Sequence, residues 1–170
     1  MTEINMKRNG LIDYVDFGVE GNKFLENIGV NEQPSVTFLA QLLLDRQAIY
    51  FNENNNDHLD LSDKFNIYIE CLKRLATNVS ELQEETIKRR LTNEPWCLAY
   101  QYIDDKDGNE RRLFKIVKPE EVYINDHPIC AKKFQPFCAP FDENLAELYK
   151  QFGSKYLAEC VKKTTFVAGK

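Results

Sequence analysis

The chain has 170 residues, 22 Lys/Arg against 27 Asp/Glu, a formal net charge of −5 and a 43% hydrophobic content that includes 11 Phe and 8 Tyr. That length supports one domain with a real core, and the aromatic content sets it apart from disordered chains. No apolar run approaches the roughly 18 residues of a membrane span, and the segment from Met1 to Arg8 lacks the apolar stretch of a signal peptide.

Charge is divided unevenly. Residues 1–90 carry 10 Lys/Arg and 15 Asp/Glu, a net of −5, whereas residues 91–170 carry 12 of each. Neither part has the basic stripe that displaces counterions from a nucleic acid, so no nucleic-acid partner is expected. Five cysteines, an odd number without close pairing, read as reduced thiols of an intracellular protein, cytoplasmic or nuclear.

In chain order, residues 1–19 read as a partly ordered arm with one strand at Leu11–Phe17. A short helix over Glu20–Ile28 is closed by Gly29. Ser35 is an N-cap for a helix to about Phe51, whose apolar residues cover more than one face and so call for several neighbours. Asn52–Asp60 is an asparagine-rich loop that holds His58. Its asparagines suggest the nucleotide site of an Hsp90-type ATPase, but the Asp-x-Gly-x-Gly that such a site requires is absent.

Ser62 caps a third helix, in which Phe65, Tyr68, Ile69, Leu72, Leu75, Ala76 and Val79 follow helical spacing. Ser80, with Gln83 three residues on, reads as the capping box of a fourth helix. That helix carries Leu82, Ile87 and Leu91 on a thin stripe and the Lys88-Arg89-Arg90 cluster in its last turn, where cations suit the dipole. Trp96 to Val117 is a β-hairpin with Asp107-Gly108 in its turn. Pro119–Ile124 reads as one helical turn with Pro at N1. Asp126–Pro140 is a proline-rich loop with a short extended piece near Ile129. Asp142 caps a helix with Leu145, Leu148, Tyr149 and Phe152 on one face, ended by Gly153. Ser154 opens a short helix through Leu157 and Val161, and Thr164–Lys170 is a frayed tail.

This reading is α+β, predominantly α-helical, with one β-hairpin (about Trp96–Val117) packed on helices. It divides the chain into an arm (1–19), a single α-rich domain (20–163) and a tail (164–170).

Motifs of known chemistry are scarce. His127, Cys130 and Cys138 are the nearest approach to a ligand set, yet zinc favours paired Cys-x-x-Cys spacings and none occurs. The turn Asp104–Glu110 fails the calcium-loop pattern, because with Gly108 at the sixth position Ile103 and Phe114 occupy the first and twelfth. There is no Gly-x-Ser-x-Gly, Gly-x-x-x-x-Gly-Lys or Gly-x-Gly-x-x-Gly. Trp96, Tyr100, Tyr102 and Phe114 offer a base-stacking platform only if exposed beside a basic groove, and packing onto helices is the expected role. No catalytic, cofactor-binding or metal residue is therefore assigned, and no cofactor is expected.

Three stretches carry a family resemblance: Phe24-Leu-Glu-Asn-Ile-Gly-Val-Asn-Glu-Gln-Pro-Ser, the hairpin from Pro95-Trp96 to Lys118-Pro-Glu-Glu-Val-Tyr, and Leu148-Tyr-Lys-Gln-Phe-Gly-Ser-Lys-Tyr-Leu. In that order they resemble a helical region of large sacsin and no-vein type proteins, which have an Hsp90-like ATPase domain, and of their fungal relatives. The resemblance implies a non-catalytic scaffold segment that follows an ATPase domain, and no residue here matches a nucleotide-binding motif of that domain. The expected function is a non-enzymatic scaffold or protein-interaction module, which the resemblance associates with a chaperone-like Hsp90-type ATPase, with an unidentified protein partner and no membrane. The alternative is a small intracellular enzyme whose Cys/His site forms only in three dimensions.

Overall fold

A computed structural model describes residues 5–8, 13–16, 23, 27, 34–51, 61–104 and 110–161. The chain divides into two compact units, Met1–Arg90 and Leu91–Lys170, where the sequence reading drew one α-rich domain over 20–163. His58, the rest of the Asn52–Asp60 loop, the centre of the hairpin turn and the Thr164–Lys170 tail lie outside the described residues, as does most of the helix expected over Glu20–Ile28. Of that helix, Lys23 and Asn27 are described, and both are helical and exposed.

In the first unit, β1 (Asn5–Arg8) pairs antiparallel with β2 (Asp13–Asp16), from Asn5 opposite Asp16 to Arg8 opposite Asp13. The arm thus holds two strands rather than one. Helix α1 (Val36–Tyr50) begins where Ser35 Oγ accepts from the Phe38 N–H at 3.2 Å. Leu39, Ala40, Leu42, Leu43 and Leu44 are all buried, which spreads the buried surface around the helix as its composition requires. Helix α2 (Leu61–Asn78) buries Tyr68, Leu72 and Leu75 completely.

The end of α1 is fastened to α2 through Phe51, whose ring centre lies 5.3 Å from that of Phe65 and 5.1 Å from that of Tyr68. The helix starts at Leu61, so Ser62 lies inside it rather than capping it. After α2, Val79–Glu81 is a single 3-10 turn, and α3 (Glu85–Asn93) follows. Gln83 donates from Nε2 to the Ser80 carbonyl at 3.2 Å, whereas a capping box would have it accept from the Ser80 N–H. The expected box at Ser80 is therefore replaced by this turn. Leu82 and Ile87 are buried, so the thin stripe is a packed one.

The second unit corrects the fold class. It does not present a single hairpin to helices but a five-stranded mixed sheet in the spatial order Glu110–Val117 (β4), Cys97–Asp104 (β3), Phe137–Cys138 (β6), Val122–Ile124 (β5) and Lys155–Tyr156 (β7). Strand β3 (Cys97–Asp104) pairs antiparallel with β4 (Glu110–Val117) over its whole length, from Cys97 opposite Val117 to Asp104 opposite Glu110. On the other side of β3, Tyr100 stands opposite Cys138 of β6 (Phe137–Cys138), again antiparallel. Strand β5 (Val122–Ile124) then runs parallel to β6 and to β7 (Lys155–Tyr156). These three strands are two or three residues long, too short to display an alternating pattern, and they pair with partners far away in the chain.

Two other expectations in this unit are revised for local reasons. Where a loop with an extended piece at Ile129 was expected, helix α4 (Pro128–Phe134) forms, with Pro128 in its first turn and His127 Nδ1 accepting from the Cys130 N–H at 3.4 Å. Ser154 does not open a helix. It is buried with Oγ donating to the Pro119 carbonyl at 2.7 Å, and the short helix α6 (Leu157–Cys160) starts after β7. The Pro119–Glu121 turn is helical as expected, but the chain then extends into β5. Helix α5 (Glu143–Gln151) is capped by Asp142, whose Oδ1 accepts from the Leu145 N–H at 3.2 Å.

The core of this unit forms around Trp96, which is 0% exposed and donates from Nε1 to the Leu91 carbonyl. Tyr149 and Phe152 of the α5 end meet its ring edge-on, at 5.5 and 5.7 Å between centres. The apolar face read from Leu145, Leu148, Tyr149 and Phe152 thus covers the start of the hairpin.

Candidate functional site

Side chains alternate across a strand, and residues opposite each other in a ladder share a face, so the register sorts the sheet's residues without ambiguity. Tyr100, Tyr102, Arg112, Phe114 and Cys138 lie on one face. Gln101, Ile103, Arg111, Leu113, Lys115 and Phe137 lie on the other.

The first face is closed. Tyr100, Tyr102, Ala131, Cys138 and Leu157 form a buried cluster, with Phe114, Tyr123, Cys130 and Val161 packed against it. The Arg112 guanidinium caps the cluster, 5.2 Å from the centre of the Tyr100 ring, 5.6 Å from Tyr102 and 5.5 Å from Phe141. Beneath it, Asn125 donates from Nδ2 to the Tyr100 hydroxyl at 3.0 Å, while Asn125 Oδ1 is buried and has no partner among the described residues. Burial is the main reason the Tyr100 hydroxyl is pushed well above its ordinary pKa. The Cys138 thiol is likewise raised to about 11, and its Sγ donates to the Pro136 carbonyl at 3.6 Å.

The sequence's ligand candidates are dispersed into structural roles here. His127 and Cys130 do meet, in the first turn of α4, but through the imidazole and a backbone N–H. Cys138 lies on β6 in the buried cluster. Among the described residues no three His, Cys, Asp or Glu side chains are grouped to hold a metal ion. The five cysteines are free thiols. Burial lifts the Cys71 thiol to about 11 and Cys97 well above the ordinary range, which lowers the thiolate fraction that a nucleophile needs. Trp96, Tyr100 and Tyr102 are too deeply buried to serve as a stacking platform.

The second face is different. Leu113, Gln101 and Phe137 stand in one row across β4, β3 and β6. Leu113 is 48% exposed on an outer strand of the sheet, with Phe137, Gln101 and Ile103 half-buried beside it. Lys115 reaches over the small Ala99 to place Nζ 5.6 Å from the centre of the Phe137 ring. Arg111 and Lys115, both exposed, flank Leu113 two residues to either side on the same face. The described residues of β3, β4 and β6 contribute no carboxylate to it. Glu110 belongs to the opposite face, where it pairs with Lys132 at 2.8 Å. Sequence reading took Arg111–Val117 only as a hairpin arm, although Arg-x-Leu-x-Lys at period two already puts these three side chains on one face.

In the first unit, a cavity of about 160 Å³ opens at the start of α1, lined by Pro34, Ser35, Val36, Leu39, Arg74, Asn78 and Glu81. Arg74 donates to the Pro34 carbonyl at 2.8 Å and a carboxylate, Glu81, joins the lining. Those two features do not suit an anion there.

Against known families, residues 4–170 match the one described as Protein of unknown function (DUF3684). The chain belongs to the DUF3684 family. No curated protein and no solved structure matches this DUF3684 chain. The family description names no activity, and the likeness to sacsin and no-vein type proteins is no part of it.

Proposed function

We propose that this DUF3684 chain is a non-enzymatic protein-interaction module that binds a protein partner through the second sheet face. The observation that carries the reading is Leu113, a large apolar side chain turned to solvent on an outer strand, in register with Phe137 two strands away. Apolar groups gathered in this way on a surface characterise binding faces. The raised pKa values of Cys71, Cys97 and Cys138 support the non-enzymatic part of the reading.

A photo-crosslinking side chain at position 113, compared with one at exposed position 147 on α5, tests the proposal in extract of the source organism. The expected result is one adduct specific to position 113, suppressed by excess unlabelled chain and not by excess Leu113→Asp chain. Equal labelling from both positions would refute it. That the module accompanies an Hsp90-type ATPase, as a chaperone-associated scaffold, rests on the resemblance in Phe24–Ser35, Pro95–Tyr123 and Leu148–Leu157. An ATPase sequence in the same native reading frame is the expected finding, and its absence would overturn that part.

A further inference from the structure

We infer that Arg112, seated on the rings of Tyr100, Tyr102 and Phe141, anchors a binding site for a carboxylate carried on an apolar body. The site belongs to the first sheet face, opposite Leu113, and does not depend on the interaction-module reading. The guanidinium lies 5.2 Å from the centre of the Tyr100 ring, 5.6 Å from Tyr102 and 5.5 Å from Phe141. Rings answer its charge, but they do not take its N–H groups as a paired carboxylate would. Among the described residues no carboxylate and no hydrogen-bond acceptor is paired with Arg112, which is exposed.

The neighbouring cation shows the contrast. Lys132 Nζ lies 5.7 Å from the centre of the same Tyr102 ring, and it is paired with Glu110 at 2.8 Å. Glu110 raises the Lys132 pKa and the Arg112 charge opposes that rise, so the two cations act on each other. Glu110 and Lys132 cancel, and the positive charge of Arg112 is left in excess.

That balance selects the ligand. A carboxylate is a monoanion, and its planar pair of oxygens matches the guanidinium fork. A phosphate dianion would bring more charge than the group can answer beside Glu110, and Asp142, next to Phe141 in the chain, is a further carboxylate. A cationic ligand would meet both Arg112 and Lys132. The apolar body follows from Phe141, which is 65% exposed although its ring centre lies 5.6 Å from that of Tyr100. A hydrocarbon group behind the carboxylate removes that ring from water. Because the rings already hold the guanidinium, little of its freedom is lost on binding. A small organic acid and the C-terminal residue of a protein both carry this chemistry.

The test is 1H–15N NMR of the full 170-residue chain, following the backbone amides of residues 112 and 141. The probes are benzoate, benzamide, inorganic phosphate, and a short peptide ending in Leu with either a free carboxylate or an amide at its C-terminus. Saturable shifts at both residues are expected with benzoate, the acid peptide or both, at least about tenfold tighter than with the matching amide. Phosphate should bind more weakly than the better acid. Arg112→Lys keeps a cation over the rings but loses the fork, and should weaken the acid several-fold. Phe141→Ala should weaken it too, while the remaining shift stays at residue 112.

Binding of benzoate alone assigns the site to a small acid, and binding of the acid peptide alone assigns it to a protein terminus. Equal binding of acid and amide, phosphate as tight as the better acid, or undiminished binding in Arg112→Lys would each overturn the inference. So would shifts confined to other residues, or no saturable shift with any probe. The comparison of acid with amide uses the unaltered chain, so it decides the matter even where a variant fails to fold.

Discussion

The Tyr149 hydroxyl, on α5, donates a hydrogen bond to the Leu98 carbonyl of β3 at 3.0 Å, with both residues completely buried. The same ring meets Trp96 edge-on, so one side chain ties the late helix to the first strand of the sheet by both a polar and an apolar contact. A buried acceptor that loses its donor costs about 1–3 kcal/mol. Tyr149→Phe should therefore lower stability by about that amount while keeping the ring contact. Leu148→Ala, a large-to-small change at a residue 2% exposed, should cost about 2–5 kcal/mol. Truncation after Pro140 removes the whole face and should unfold this unit. Trp96 is the only tryptophan, so its fluorescence during urea unfolding reads these effects directly. An unchanged midpoint in the truncated chain would show that α5 does not hold the sheet.

Two backbone positions in the same unit make opposite predictions. Gln135 closes α4 with φ 49°, ψ 46°, a left-handed conformation in which glycine is the usual residue. Gln135→Gly should stabilise by about 0.5 kcal/mol, the roughly 1–2 kcal/mol left-handed cost less roughly 0.4–1 kcal/mol of added freedom in the unfolded chain. The Gln135 carbonyl, which accepts from Gln101 Nε2 at 2.6 Å, is kept in the variant. Gly153 follows α5 at φ +127°, and the nearest atom to an added Cβ would be 4.0 Å away, so conformation rather than space resists substitution. Gly153→Ala should cost about 1–3 kcal/mol. Urea unfolding of the pair should shift in opposite directions, and a shared direction would contradict both assignments.

What the sequence disclosed follows from how far apart the interacting residues lie. Ser35 and Asp142 cap their helices three residues ahead of the N–H they bind, and both were legible, as was the β3–β4 pair joined by a short turn. The sheet beyond β3 was not. Tyr100 opposite Cys138, and Tyr123 opposite Lys155, are long-range pairings in each of which one strand is only two residues long. Ser154 illustrates the same limit: locally it resembles a helix cap, but its hydroxyl goes instead to Pro119, 35 residues earlier. The candidate face was half legible, because Arg111, Leu113 and Lys115 show their common face in the spacing. Phe137 joins them only through the register.

In the first unit, Lys64 is 6% exposed, with Nζ donating to the Tyr50 carbonyl at 3.1 Å and lying 5.5 Å from the centre of the Tyr50 ring. Tyr50 is the last residue of α1, so the ammonium sits at the negative end of the helix dipole as well as over a ring. Lys64→Met keeps much of the length and removes the charge and the donor. Its expected cost is about 1.5–3 kcal/mol, the typical worth of a hydrogen bond to a charged group. Far-UV circular dichroism through thermal unfolding would measure it, and a variant as stable as the parent would show that the buried ammonium contributes nothing net.

The buried thiols give the chain an alkaline limit. Burial raises Cys71 and Cys138 from an ordinary value near 9.0 to about 11, although Arg74 near Cys71 and the Tyr100 hydroxyl near Cys138 both pull the other way. Over that interval the folded chain keeps protons that the unfolded chain has released. Stability is therefore complete below about pH 9 and declines as pH rises to about 11. Cys97 and Tyr100, both raised by burial, act in the same direction. The expected outcome is a urea midpoint that falls steadily above about pH 9, with a shallower slope in a Cys71→Ala, Cys138→Ala chain. Thiol labelling at pH 8 should report the same burial from the other side. Cys160, exposed at the end of α6, should react at once, while Cys71, Cys97 and Cys138 react only as fast as the chain opens. Prompt labelling of Cys71 or Cys138 in the folded chain, or a midpoint flat from pH 8 to pH 11, would show that these thiols are not shielded as the structure places them.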